Sequence, residues 1–348
     1  MSKTQIALAG FGVIGKKHAA ALIDSQNCEL TAIVDPDKNA KNYALTNGVS
    51  YYKTLESLFL NNSVDGVLLA TPTSMHCKQA VLCADKGIHI LIEKPIATSL
   101  KETKLIIKAG KKNRVHILSG HYRRFNKQVE TARDIILSGK IGNLVGVSAI
   151  WAMKKHDEYY DIPWRTQKGG GPILTNLIHD IDCLRYICGN IESVSSHVSN
   201  KTRKHAVEDT AAITLSFENG ALGTILLSDA APGPWSFEAS TGENQEFSHM
   251  DDCCYRFIGT KGAFDFPLLR IWTYASQQKA AWHYPILKTQ MLTGSGYPLK
   301  EQVEHFGRVI REQQVPRTSS EDGAKTLSVT LAIIEAANTG TTVTPRDI

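Results

Sequence analysis

The stretch IALAGFGVIGKKHAAAL, residues 6–22, constrains the fold more than any other feature of this chain. An apolar run ends on Gly10, Gly12 and Gly15 follow at G-x-G-x-x-G spacing, and a helical pattern begins at once. Between a strand and a helix, the first glycine permits a tight turn, the second lets a pyrophosphate approach the backbone, and the third lets the helix pack closely. The helix N-terminus adds attraction for the phosphate charge. A purely structural glycine turn is the other reading, and the strand before and helix after the motif count against it. Gly10, Phe11, Gly12, Val13, Ile14 and Gly15 are therefore the expected phosphate cradle. About 20 residues further on, TAIVDPD closes the second apolar run with Asp35, placed to accept from the adenosine ribose hydroxyls. A 2'-phosphate there would meet like charge, which favours NAD over NADP, although Lys38 and Lys41 lie close by.

The first 120 residues continue this alternation. Strands are expected at 5–9, 30–34, 64–70, 89–92 and 115–119, with helices at 13–24, 37–46, 74–86 and 100–112, the signature of βαβ units on a parallel sheet. Ser99, three residues before Glu102, reads as a capping box. After Gly120 the texture changes: a helix at 126–137, a long strand at 144–153, then TAAITLSFENGALGTILLSD as two strands joined through Asn219 and Gly220. RFIGTKGAFDF repeats that hairpin pattern, and helices follow at 299–312 and 321–337. At 348 residues two domains are expected, 1–121 and 122–348. The +5 formal charge is spread along the chain, so nucleic acid is not indicated, and no window reaches the roughly 18 apolar residues a membrane helix needs. A cytoplasmic protein is the expectation. Seven cysteines without C-x-x-C or Cys/His ligand spacing read as reduced thiols, with no metal site.

Two loops stand at the carboxyl edge of the expected sheet, where open α/β folds bind ligands. In LLATPTSMH, Thr71 and Pro72 are candidates to flank the cofactor, and His76 is either a cofactor contact or a helix-start residue. In GIHILIEKPIAT the strand runs into Glu93, Lys94 and Pro95. A lysine there can deprotonate or polarise a substrate hydroxyl, with Glu93 holding the ammonium and Pro95 fixing the backbone direction. A surface salt bridge at a strand end accounts for the same spacing equally well.

The glycine motif, Asp35, ATPTSMH, EKPIA and the later GGGPILTNLIHDIDCLR, in this order over most of the chain, resemble the glucose-fructose oxidoreductase and inositol 2-dehydrogenase (Gfo/Idh/MocA) family. The resemblance implies an α/β Rossmann domain, followed by an α+β domain whose large, mainly antiparallel open sheet forms the substrate pocket and the contact of a homodimer or homotetramer. It also implies that Lys94 is the catalytic lysine and that His179 is the catalytic histidine. Spacing alone shows only that His179, Asp182 and Tyr186 share a helix face, where a histidine is more often structural. One departure stands out. Many family members carry Asp-x-Gly-x-His here, and this chain has Thr175 and Leu177 at the first two of those defined positions, with Asn176 between. Thr175 or Asn176 is left to hydrogen-bond a substrate hydroxyl.

Further substrate candidates are Tyr122 and Arg124 in GHYRRFNK, then Trp151, His156, Tyr159, Trp164 and Arg165 in WAMKKHDEYYDIPWR, and Trp235, with Glu238 and 241–245 beside it. Aromatic faces stack on sugar rings, and arginine donates to hydroxyls or a carboxylate. The activity expected is NAD-dependent oxidation of a secondary alcohol of a cyclitol, sugar or sugar acid to a ketone. The alternatives are an NAD(P)H-dependent reductase of a keto-sugar or imine, and a non-catalytic dinucleotide-sensing regulator.

Overall fold

The computed structural model describes residues 2–244 and 247–348. Its contacts divide the chain into two units, Met1–Phe125 with Tyr297–Leu327 and Ile348, and Asn126–Gly296 with Ser328–Asp347.

In the first unit, β1 (Thr4–Ala9), α1 (Val13–Ile23), β2 (Cys28–Val34), α2 (Lys38–Thr46), β3 (Ser50–Tyr52), α3 (Leu55–Asn61), β4 (Gly66–Leu69), α4 (Thr73–Asp85), β5 (His89–Ile92), α5 (Leu100–Asn113) and β6 (Ile117–Ser119) follow one another. The six strands are parallel in the order β3-β2-β1-β4-β5-β6, the doubly wound arrangement of a Rossmann domain. Their central residues, among them Leu8, Leu68 and Leu91, are buried because helices cover both faces. The expected strands and helices form, while β3 and α3 carry no run of apolar residues long enough to announce them. The Ser99 cap also differs in part: its hydroxyl accepts from Glu102 N–H, but the Glu102 carboxylate turns to the Thr98 N–H and hydroxyl.

In the second unit, α6 (Lys127–Leu137) is capped by Asn126, which accepts from Gln128 and Val129 N–H. Then come β7 (Leu144–Ala152), α7 (Ile178–Cys188), β8 (Ile191–Ser199), β9 (Thr210–Phe217), β10 (Leu222–Ser228), α8 (Phe237–Thr241), β11 (Tyr255–Gly259), β12 (Gly262–Phe266), β13 (Arg270–Tyr274) and β14 (Ile286–Gln290). The eight strands run β14-β13-β12-β11-β7-β10-β9-β8, antiparallel throughout except where β7 meets β10. The β9–β10 hairpin turns at Asn219 and Gly220, and Gly220 takes the left-handed φ of +84° that the turn needs. Inward residues of β7, β9 and β10 pack with α6 and α7 into one core. The opposite face leaves apolar Val145, Leu222, Leu226 and Ile258 exposed.

A contiguous second domain from 122 onward does not match this division, because α9 (Pro298–Ile310) and the start of α10 (Ser320–Thr339) pack with the first unit. The reason is an apolar stripe. Leu299, Val303, Phe306 and Val309 lie on one face of α9 and join the cluster of Ile6, Leu22 and Leu30. Burying each such side chain contributes about 1.5–3 kcal/mol. Glu304, on the same helix, accepts from Ser25 Oγ at 2.8 Å and Gln26 N–H at 2.6 Å, which sets the helix position. All seven cysteines are free thiols, and among the described residues no helix is long and apolar enough to cross a membrane.

Candidate functional site

The three glycines of the first turn meet different surroundings. Gly10 has φ +93°, and a Cβ there would collide with the Ala70 carbonyl and lie 2.7 Å from Thr71 N. A Cβ on Gly15 would strike the Gly10 carbonyl. Gly12 faces open space, with nothing within 4 Å of its would-be Cβ. The first and third glycines are thus demanded by packing, whereas the second leaves a gap at the mouth of α1, whose first amides the helix itself cannot satisfy. No acidic residue stands in that first turn to repel a phosphate. Val13 is exposed beside the gap, and Ile14 packs back into the core.

Asp35 is held ready at the end of β2. Its carboxylate accepts from Phe11 N–H at 2.7 Å and Asp37 N–H at 2.8 Å, and the side chain stays half-exposed. The Phe11 ring packs on Tyr43 at 4.7 Å between centroids, so Phe11 serves the cradle through its backbone. The cradle and its carboxylate fit an adenine dinucleotide.

Beyond β4, Thr71 Oγ1 donates to Gln79 Oε1 at 2.6 Å, and Pro72 takes the position before α4. His76 is not a free cofactor contact: it is buried, its Nε2 lies 2.8 Å from the Thr71 carbonyl, and its Nδ1 lies 3.0 Å from the Pro95 carbonyl. It ties the loop after β4 to the loop after β5. Burial holds its pKa below the usual histidine value, with the two carbonyls acting in the other direction.

Lys94 is half-buried at the carboxyl end of β5, followed by a cis bond to Pro95. Glu93 does more than the sequence suggested. Its Oε1 lies 2.6 Å from Nε2 of His18 on α1, and its Oε2 accepts from the Lys94 backbone N–H at 3.0 Å. Burial pushes the Glu93 carboxyl up, but the His18 hydrogen bond and charge, together with the Lys94 charge, hold it below the usual carboxylate range. His18, fully buried, went unnoticed in the sequence because it sits among the alanines of a helix.

Of the segment after β6, Arg124 is 4% exposed, pairs with Asp322 and donates to the Arg317 carbonyl, both within the first unit. It is a buried structural arginine rather than the expected substrate donor. Tyr122 is half-buried against the unit core.

In the second unit, a π-helical turn at Ile173–Leu177 runs into α7 and presents His179 on its first turn, 8% exposed. Such turns concentrate at functional sites. Thr175 Oγ1 lies 3.0 Å from both the Gly171 carbonyl and Asn176 Oδ1, and both residues are half-buried. The turn is braced by Glu208, whose Oε1 accepts from Ile173 N–H at 3.0 Å and sits where a Gly171 side chain would be. Burial pushes the Glu208 carboxyl up. Neighbouring Asp180 accepts from the Tyr255 hydroxyl, and Asp182 is buried.

The aromatic segment divides. Trp151 is 1% exposed and donates Nε1–H to Glu238 at 3.0 Å, so both are core residues and not a sugar wall. Tyr159 is covered by cations, with Arg165 4.0 Å and Lys155 4.6 Å from its ring centre. Arg165 also donates to the Tyr159 carbonyl at 2.7 Å. His156 and Trp164 are exposed, and Trp235 is 37% exposed with its Nε1–H donated to Asp252. Of 241–245, Gln245 lies outside the described residues. Sequence reasoning passed over Asp229, buried and gathering the Tyr160 hydroxyl at 2.6 Å, Arg203 Nε at 3.1 Å and the Lys155 ammonium at 3.4 Å. Burial lowers the Lys155 pKa, against the pull of Asp229.

Comparison with known proteins agrees with this anatomy. The profile of the oxidoreductase family with an NAD-binding Rossmann fold matches residues 4–121, and that of the GFO/IDH/MocA C-terminal domain matches 129–265. The chain is 27% identical over 266 residues to the rhizopine catabolism protein MocA of Rhizobium meliloti, covering 75% of this chain and 78% of that protein. It is 26% identical to the scyllo-inositol 2-dehydrogenase (NAD(+)) of Bacillus subtilis, covering 97% and 95%. The WlbA dehydrogenase from Bordetella pertussis, solved with NADH and UDP-GlcNAcA, superposes with a TM-score of 0.79 over the full length of both chains at 24% identity, a likeness of fold.

Proposed function

The chain belongs to the Gfo/Idh/MocA family of NAD(P)-dependent oxidoreductases, and on that footing we propose that it oxidises a secondary alcohol of a cyclitol, sugar or sugar acid to the ketone, with NAD as acceptor. The observation that carries the reading is a nucleotide cradle, open at Gly12 and closed by Asp35, on the same sheet edge that delivers Lys94. NAD, when bound, supplies the carbon that accepts hydride. We assign Lys94 the proton of the substrate hydroxyl and His179 its onward transfer, the roles a lysine and a histidine fill in acid–base catalysis. The Asp35 carboxylate favours NAD, since a 2'-phosphate would meet like charge there.

Thr175 or Asn176, at the place of the aspartate many relatives carry, positions a hydroxyl by hydrogen bonding. Trp164 and Trp235, the exposed aromatics, are the faces proposed for a sugar ring. A homodimer or homotetramer is proposed on the exposed apolar face of the eight-stranded sheet.

The test is NADH formation across cyclitols, aldoses and sugar acids with NAD and NADP in parallel, in wild type, Lys94→Ala and His179→Ala. Each variant should lose at least about 100-fold in turnover while cofactor affinity stays within about twofold. Wild-type turnover in both variants on the true substrate would sink the assignment.

A further inference from the structure

His18 and Glu93 form a buried acid–imidazole pair directly beside Lys94. The His18 side chain has no solvent exposure, Glu93 is 6% exposed, and their contact of 2.6 Å joins α1 to the loop after β5. An ionised carboxylate can only accept, so Nε2 must carry the proton it shares with Glu93. The Nδ1 atom, buried as well, has no hydrogen-bond partner among the described residues, so the ring is committed to Glu93 alone. At the end of β6, Gly120 leaves room for the acid: a Cβ there would lie 3.2 Å from the Glu93 carboxyl carbon and 2.9 Å from its Cα.

Resting on the reading of Lys94 as the proton-handling lysine, we infer that His18 is its positioning residue: by donating from Nε2 it keeps Glu93 an anion in a dry place, and that anion governs how readily the neighbouring lysine passes from ammonium to the free amine that takes the hydroxyl proton. Among the described residues, His18 from α1, Lys94 from its own loop and His76 from α4 are titratable groups that act on the carboxylate or feel its charge. A buried carboxyl without its donor drifts toward the neutral acid, because burial disfavours charge. Once neutral, Glu93 no longer favours the ammonium, and the lysine gives up its proton at lower pH. The dyad therefore sets the pH at which Lys94 changes from acid to base.

The experiment reads Lys94 directly, through the pH dependence of its acetylation rate measured by peptide mass spectrometry on the full-length chain. Glu93→Gln and His18→Leu should each lower the Lys94 midpoint by about one pH unit or more. His18→Gln, which keeps an N–H donor in reach, should stay close to wild type. A role for His18 in packing alone would leave the midpoint where it is, so an unmoved midpoint in His18→Leu overturns the inference. If His18→Leu does not fold, Glu93→Gln decides, and an unmoved midpoint there overturns it equally. Because labelling does not depend on turnover, an active Lys94→Ala would defeat the functional assignment and leave this result untouched.

Discussion

Replacing Gly10 and Gly12 in turn by alanine separates a glycine needed by the fold from one needed by the ligand. At Gly10, φ of +93° costs an L-residue about 1–3 kcal/mol. The new methyl would also drive into the Ala70 carbonyl, and forced overpacking of this kind costs about 1–3 kcal/mol more. Together the loss is about 2–6 kcal/mol. With a urea dependence of about 3 kcal/mol per molar for a unit of this size, the unfolding midpoint should fall by about 0.7–2 M. At Gly12 the backbone is extended, with φ −71° and ψ −161°, and the methyl meets nothing. Stability should change by no more than about 0.5 kcal/mol, while the methyl occupies the pyrophosphate gap and weakens NAD binding at least about tenfold. Urea unfolding followed by circular dichroism and calorimetric titration with NAD give both numbers. All five tryptophans lie in the second unit, so their fluorescence follows that unit in the same samples. Equal destabilisation by the two substitutions, or full cofactor affinity in Gly12→Ala, would show that the two glycines do not divide fold and ligand in this way.

Asp35→Ser removes the charge that would repel a 2'-phosphate, so the ratio of NAD to NADP affinity should fall at least about tenfold, measured by titration with each cofactor. Glu238→Ala strands the buried Trp151 indole N–H and should cost about 1–3 kcal/mol in urea unfolding. His305, buried on α9, accepts from Arg317 N–H at Nε2 and so faces Gln314 with Nδ1–H, a neutral ring; burial first, then Arg317 and Arg308, lowers its pKa from 6.5 to about 4. Because the unfolded chain binds this proton more readily, the contribution is complete above pH 6.5 and is lost as pH falls toward 4, at most roughly 3 kcal/mol. His305→Gln should flatten the stability profile in that window, and an unchanged slope would count against the assignment.

Local sequence already carries the alternation of strands and helices in the first unit apart from β3 and α3, the glycine turn, the carboxylate ending β2, the β9–β10 hairpin, and the places of Lys94 and His179 at the ends of local elements. Each of these depends on neighbours within one or two turns of chain, where period and steric demand are written in adjacent residues. Which polar residues are already taken is set by long-range packing. Glu93 meets His18 from 75 positions away, Arg124 meets Asp322 from 198, and Trp151 meets Glu238 from 87. An arginine or tryptophan in a polar segment has the same letter whether it faces a ligand or a buried partner, so Arg124 and Trp151 read as substrate contacts until their partners were seen. The return of α9 to the first sheet was hidden for the same reason. Its apolar stripe announces that a face will be buried, and only long-range packing chooses the surface that buries it.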